Sequence, residues 1–218
     1  MRRAALIALF VSATGCSTSW VPLNPTSLKA SQPRSIAVVF ARTTGFMAWI
    51  PATSVLMMGG GAITGAAMAL GTGNRIVKDN NIEDPAIVTR RDLFQLLFQK
   101  YALAVSPSIQ GGLENEELDF GDADLVLNVR TTDWGLEEFA GDSSHARLRY
   151  SSRVDLINAR TRRSLAQGEC EYDAVKGAQT PTFNELLANG AAILKSELSR
   201  VERLCFNRFK DRLLGLGP

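Results

Sequence analysis

Asp122-Ala123-Asp124-Leu125-Val126-Leu127-Asn128-Val129-Arg130-Thr131-Thr132-Asp133-Trp134-Gly135 is the stretch on which the fold reading turns. Leu125, Leu127 and Val129 alternate with other residues, the period-two pattern of a strand with one face on a core. Gly141-Asp142-Ser143-Ser144 then reads as a turn. Ala146 to Ile157 reads as a second strand, and Ser164 to Tyr172 as a third that pairs back on it across the polar connection Asn158 to Arg163.

Upstream, Ser35-Ile36-Ala37-Val38-Val39-Phe40-Ala41 is a short apolar run suited to a buried central strand. Asp84-Pro85 opens a helix, with Asp84 as N-cap and Pro85 in the first position. Ile87, Leu93, Leu96, Leu97 and Tyr101 give that helix its apolar face. Leu103-Ala104-Val105 is a further short strand, ended by Pro107. Thr182 and Glu185 have the spacing of a capping box. The helix it starts carries the stripe Phe183, Leu187, Ala191, Leu194, Leu198, Val201, Cys205 and Phe209. The fold expected is α/β: a mixed sheet of about five strands with helices packed on it and a long C-terminal helix.

The start of the chain has another character. Arg2 and Arg3 precede an apolar run from Ala4 to Val11, and small residues follow up to Cys16. That is the order of a secretory signal, too short for a stop-transfer helix. Ala13-Thr14-Gly15-Cys16 resembles the cleavage box of bacterial lipoproteins, with Ala13 where Leu is commoner. The resemblance implies that residues 1–15 are removed and that Cys16 carries acyl chains. Ser17 in the second mature position implies, by the same resemblance, the outer membrane with the domain facing the periplasm. The inner membrane and a Gram-positive surface are the alternatives. Residues 16–34, with Pro22, Pro25 and Pro33, read as a lipidated N-terminus and tether. Eighteen residues in an extended state would reach on the order of 55 Å. Residues 35–218 then form a single domain.

Charge excludes one class of partner. The chain has 24 Lys+Arg and 22 Asp+Glu, and two of the basic residues, Arg2 and Arg3, belong to the signal. The mature chain is neutral, without the basic excess of a nucleic-acid-binding domain.

Three segments resemble outer-membrane lipoproteins of an α/β-sandwich superfamily. They are Ile36 to Phe40, Asp122 to Gly135, and Val154-Asp155-Leu156-Ile157-Asn158-Ala159-Arg160-Thr161. That superfamily includes the curli-secretion lipoprotein and the lipoprotein activators of penicillin-binding proteins. Two features depart from the pattern: a long Gly-rich connection between Ala41 and Asp84, and Arg162 where a glycine is usual. The resemblance implies action by binding or assembly without catalysis.

Candidate chemistry is sparse. Cys170 and Cys205 form an even pair in an oxidising compartment, which favours a disulfide over two buried thiols. The Gly-rich insert at about 45–75 is uncharged from Ala52 to Gly73. Gly61, Gly65, Ala69 and Gly73 make a ladder at four-residue spacing, read either as a ridge for membrane insertion or self-association, or as a helix folded on its own domain. Glu114, Glu116, Glu117, Asp119, Asp122 and Asp124 do not match a calcium loop and read as a solvated acidic loop. His145 is the only histidine, so no zinc set or catalytic triad forms around it, and it reads as a turn residue. Gly71-Thr72-Gly73-Asn74-Arg75 lacks the lysine of a phosphate loop. Trp49 and Trp134 read as core residues, with the rim of a groove as the alternative at Trp134.

No cofactor, metal or enzymatic activity is therefore expected. The reading is a lipid-anchored accessory component of an envelope transport or secretion complex, held to the membrane and contacting an envelope protein or copies of itself. The alternatives are a self-assembling lipoprotein whose Gly-rich segment enters the membrane, and an activator of peptidoglycan synthesis.

Overall fold

In the computed structural model, which describes residues 20–41, 43–49, 62–111, 118–139, 142–174 and 180–216, the stretch around Leu125 to Val129 is the central strand of a seven-stranded mixed sheet. The elements in chain order are α1 (Pro25–Ser31), β1 (Ser35–Phe40), β2 (Met47–Trp49), α2 (Ala62–Asp79), α3 (Pro85–Tyr101), β3 (Ala104–Val105), β4 (Ile109–Gln110), β5 (Leu125–Phe139), β6 (Asp142–Asn158), β7 (Arg163–Asp173) and α4 (Phe183–Arg208), followed by a π-turn at Phe209–Leu213. The sheet runs β3-β1-β5-β6-β7. The β5–β6–β7 part is an antiparallel meander, while β1 joins β5 in parallel, with Ile36 opposite Leu125 and Val39 opposite Asn128.

The five expected strands are present, and two short ones are added. β2 resumes the pairing that β1 leaves, with Met47 opposite Gly135, and β4 pairs with the end of β1. β5 and β6 also run past their expected ends. The segment Gly141 to Ser144, read as a turn, already holds the first residues of β6.

The main core lies between the sheet and the helices. Leu125, Leu127, Val129, Leu136, Leu148, Val154 and Leu156 from the strands meet Leu93, Leu97, Leu194, Leu198 and Val201 from α3 and α4. On the opposite face a smaller cluster, Ala37, Val39, Ile109, Ala123 and Val126, is covered by Leu118 and Phe120. Asp84 and Thr182 cap their helices as expected, and both bonds of the Thr182–Glu185 box are made.

The long C-terminal helix expected from the stripe is present, with one interruption: the backbone leaves helical geometry at Ala188, and Asn189, Gly190 and Ala191 take φ of 53°, 66° and 60°. Asn and Gly accept that left-handed state most readily. Beyond the interruption, Leu194, Leu198 and Val201 are buried in the main core.

Of the segment 16–34 read as a lipidated N-terminus and tether, residues 20–34 are folded against the domain. Trp20 packs on Phe209 at 5.8 Å, and Val21 exchanges two backbone hydrogen bonds with Gln167 on the edge of β7. Asn24 caps α1, whose Leu28 is buried in the main core. Pro25 stands in the first turn of α1, directly after its Asn24 cap, and not in an extended spacer. Cys16 and the signal segment lie outside the described residues.

Candidate functional site

β1 ends at Phe40, and β2 takes up its place beside β5 only at Met47. Across this gap β5 carries a bulge between Thr131 and Asp133. Bulges re-aim side chains and end regular pairing. Here the chain at 43–46 crosses the gap and is tied to β5 by two bonds: Thr44 Oγ1 donates to the Thr131 carbonyl at 2.9 Å, and Trp134 Nε1 donates to the Thr44 carbonyl at 2.6 Å. Phe46 meets Trp134 edge-on at 4.9 Å.

Beside that crossing lies a cleft of about 500 Å³. Phe46, Val77, Ile82, Ile87 and Trp134 supply its apolar lining, while Thr43, Asn74, Asn81, Glu83 and Asp84 add polar groups. A smaller hollow of about 190 Å³ shares Thr43, Asp84 and Ile87 with it and reaches Arg90 and Arg130. Asp84 is the residue common to cleft, hollow and helix cap.

Asp84 is buried at 5 % exposure. Its Oδ1 accepts from the Ala86 amide at 2.9 Å and from the Thr131 hydroxyl at 2.5 Å. The Thr131 hydroxyl also lies 3.2 Å from that of Tyr150, so a polar chain runs from the cleft into the core. Burial raises the Asp84 carboxyl above its ordinary value, against the hydrogen bonds from Thr131 and Ala86 and the charge of Arg90, which favour the ionised form. Burial likewise raises the Tyr150 phenol, and the nearby Asp84 adds to the shift. Arg90 donates to the Val39 carbonyl at 3.3 Å and lies 4.4 Å over the Phe40 ring. Desolvation lowers its guanidinium, with Asp84 opposing. The arrangement offers one buried carboxyl at the wall of a half-apolar cleft, a geometry suited to recognising a cation on an apolar stem.

The residues singled out in the sequence fall elsewhere. Cys170 and Cys205 are bonded, with Cα atoms 5.5 Å apart, and join β7 to α4 in the main core. The small-residue ladder is turned onto its own domain. Gly65, Ala69 and Gly73 lie on the buried side of α2, and a side chain at Gly73 would meet the Phe46 carbonyl oxygen at 2.0 Å. The backbone leading into β2 approaches there, so Gly73 is not open to a second helix. Gly61 lies outside the described residues. Among the described residues no helix is long and apolar enough to cross a membrane.

His145 is not in a turn but on β6, where its Nδ1 lies 2.8 Å from Asp142 and 3.0 Å from the Ser144 hydroxyl. Asp124 is spent on structure: it accepts from the Arg34 amide at 2.9 Å and sits 3.4 Å from Arg160, and the Arg34 bond leads the causes that hold its carboxyl low. Glu114, Glu116 and Glu117 lie outside the described residues, within which no metal-binding group of acids, His and Cys occurs. Trp134 is buried at 3 % and lines the cleft as well, so its two sequence readings meet in one residue.

Sequence reading identified Asp84 only as a cap and passed over Arg90, Thr131 and Tyr150. A signal was present. Thr131 and Tyr150 occupy core-facing positions on apolar strands, and a polar group in such a place needs a partner.

No family model matches the chain, and no curated protein matches it. Solved structures do. Lipoprotein GNA1162 from Neisseria meningitidis aligns over 82 % of this chain and 99 % of its own, at 13 % identity and a TM-score of 0.29. The hypothetical protein CT253 from Chlamydia trachomatis aligns over 83 % and 97 %, at 9 % identity and a TM-score of 0.39. The PelC dodecamer from Paraburkholderia phytofirmans aligns over 84 % and 92 %, at 11 % identity and a TM-score of 0.28. TM-scores this low give no basis for transferring a function.

Proposed function

We propose that this protein is a lipid-anchored component of the bacterial envelope that acts by binding, as an accessory subunit of a transport or secretion complex. The anchor is read from Ala13-Thr14-Gly15-Cys16, and the binding role from the cleft beside Asp84. The cleft carries the reading. Its apolar lining and the carboxyls of Glu83 and Asp84 suit a basic side chain on an apolar segment of the partner. The Asp84 carboxyl is held by a helix cap and by Thr131, so it is placed for fixed recognition rather than for shuttling protons.

Ile87 is 36 % exposed and lines both the cleft and the hollow. Ile87→Glu therefore alters the binding surface with little demand on the core. Affinity capture from solubilised membranes is the test. The wild-type protein is expected to bring down one envelope protein in fixed proportion, and the variant at least tenfold less. A partnerless wild-type preparation, or equal capture by the variant, would overturn the proposal.

A further inference from the structure

The geometry points to a domain held edge-on at the membrane surface, with the β7 edge and the Phe209–Leu213 turn facing the lipid. This rests on the anchor at Cys16 proposed above. What the structure adds is the place where the chain from that anchor is first held. Val21 donates to the Gln167 carbonyl at 2.8 Å, and the Gln167 amide donates back at 2.9 Å. The Leu23 amide donates to the Leu213 carbonyl at 2.7 Å. Trp20 packs on Phe209 and covers Gly168 so closely that a side chain there would meet its ring at 2.7 Å.

The link between anchor and domain is thus Ser17 to Ser19. Four Cα steps, from Cys16 to Trp20, span at most about 14 Å even when fully extended. Acyl chains keep Cys16 at headgroup level, so the corner of the domain around Trp20 lies within one short link of the lipid. An 18-residue tether would have left every face of the domain free to turn outward, whereas a three-residue link fixes one. Trp20 suits that position, since indole rings favour the boundary between headgroup and hydrocarbon. The opposite sheet edge, β3, lies four strands away, about 19 Å across the sheet. Val105 on that edge is 64 % exposed.

Energy transfer to a headgroup-labelled lipid tests this on the full acylated protein in nanodiscs. Donors are placed at Asp211→Cys, on the proposed membrane side, and at Val105→Cys, with the buried disulfide left intact. Transfer from position 211 is expected to exceed that from 105 at least twofold. Twenty Gly/Ser residues inserted between Ser19 and Trp20 should erase the difference. Equal transfer from both sites, with the N-terminal peptide carrying its acyl mass, overturns this inference alone. An N-terminal peptide of unmodified mass overturns the anchor as well. A difference that survives the insertion also overturns it, because something other than the short link would then orient the domain.

Discussion

Asp84 shows how one carboxyl can serve a cap, a core and a cleft. Its Oδ1 satisfies the Ala86 amide at the start of α3 and accepts from Thr131, while the residue also borders open volume. Burial is the largest cause of its raised carboxyl. From about pH 4 upward the unfolded chain releases this proton while the folded chain still holds it. The stability linked to Asp84 is therefore fully present below about pH 4 and lost as pH rises through the folded-state value. Asp84→Asn has no carboxyl to titrate. Urea melts across this range should show the wild type losing stability relative to the variant as pH increases, and a difference of opposite slope would contradict the burial argument. Arg162 bears a different constraint: it takes a φ of 56°, the left-handed state that a glycine accepts without strain. Its guanidinium lies 5.4 Å from the Phe120 ring, a cation–π contact that offsets part of the cost.

Among the elements, α2 carries the clearest lesson. Its small residues looked like a helix-packing ladder, and their spacing does give one flat face. Flatness favours any close backbone approach, however, and in this fold the approaching backbone is a strand. Gly73 faces the Phe46 carbonyl, while Gly71, two residues away, has nothing within 4 Å of where a side chain would begin. Gly73→Ala should therefore cost about 1–3 kcal/mol through overpacking. Gly71→Ala should stabilise the helix by about 1 kcal/mol. Chemical denaturation of the two variants checks the pair, and matching effects would mean that α2 does not pack on β2. Sequence could not separate these glycines, because both lie in the same run and only the path of residues 43–49 distinguishes them. The same limit hid β2 and β4, whose few residues pair only because β1 and β5 leave them an edge.

At the scale of the molecule, the sheet and α4 are joined covalently as well as by packing. Cys170 and Cys205 are both fully buried and close a loop of 35 residues, and Arg208 adds a bond from α4 to the Glu171 carbonyl at 2.9 Å. Replacing both cysteines with alanine should lower unfolding free energy by about 3–4 kcal/mol. A urea midpoint unchanged from wild type would show that packing alone holds α4 in place. Much of this architecture is set by the sequence itself: alternation marks β5, polar connections separate β6 and β7, Asp84-Pro85 and Thr182-x-x-Glu185 set two helix starts, and helical spacing marks the buried Leu93 and Leu97 of α3 and, beyond the break, Leu194, Leu198 and Val201 of α4. Those features depend on neighbours a few residues apart, where local geometry is decisive. Tertiary structure alone decided that Trp20 to Leu28 is part of the domain, that Gly73 of α2 meets the backbone of residues 46–48, and that Asp84, Thr131 and Tyr150 share a site. Each of these joins residues distant in the chain, and an isolated side chain carries no record of what the rest of the fold will bring against it.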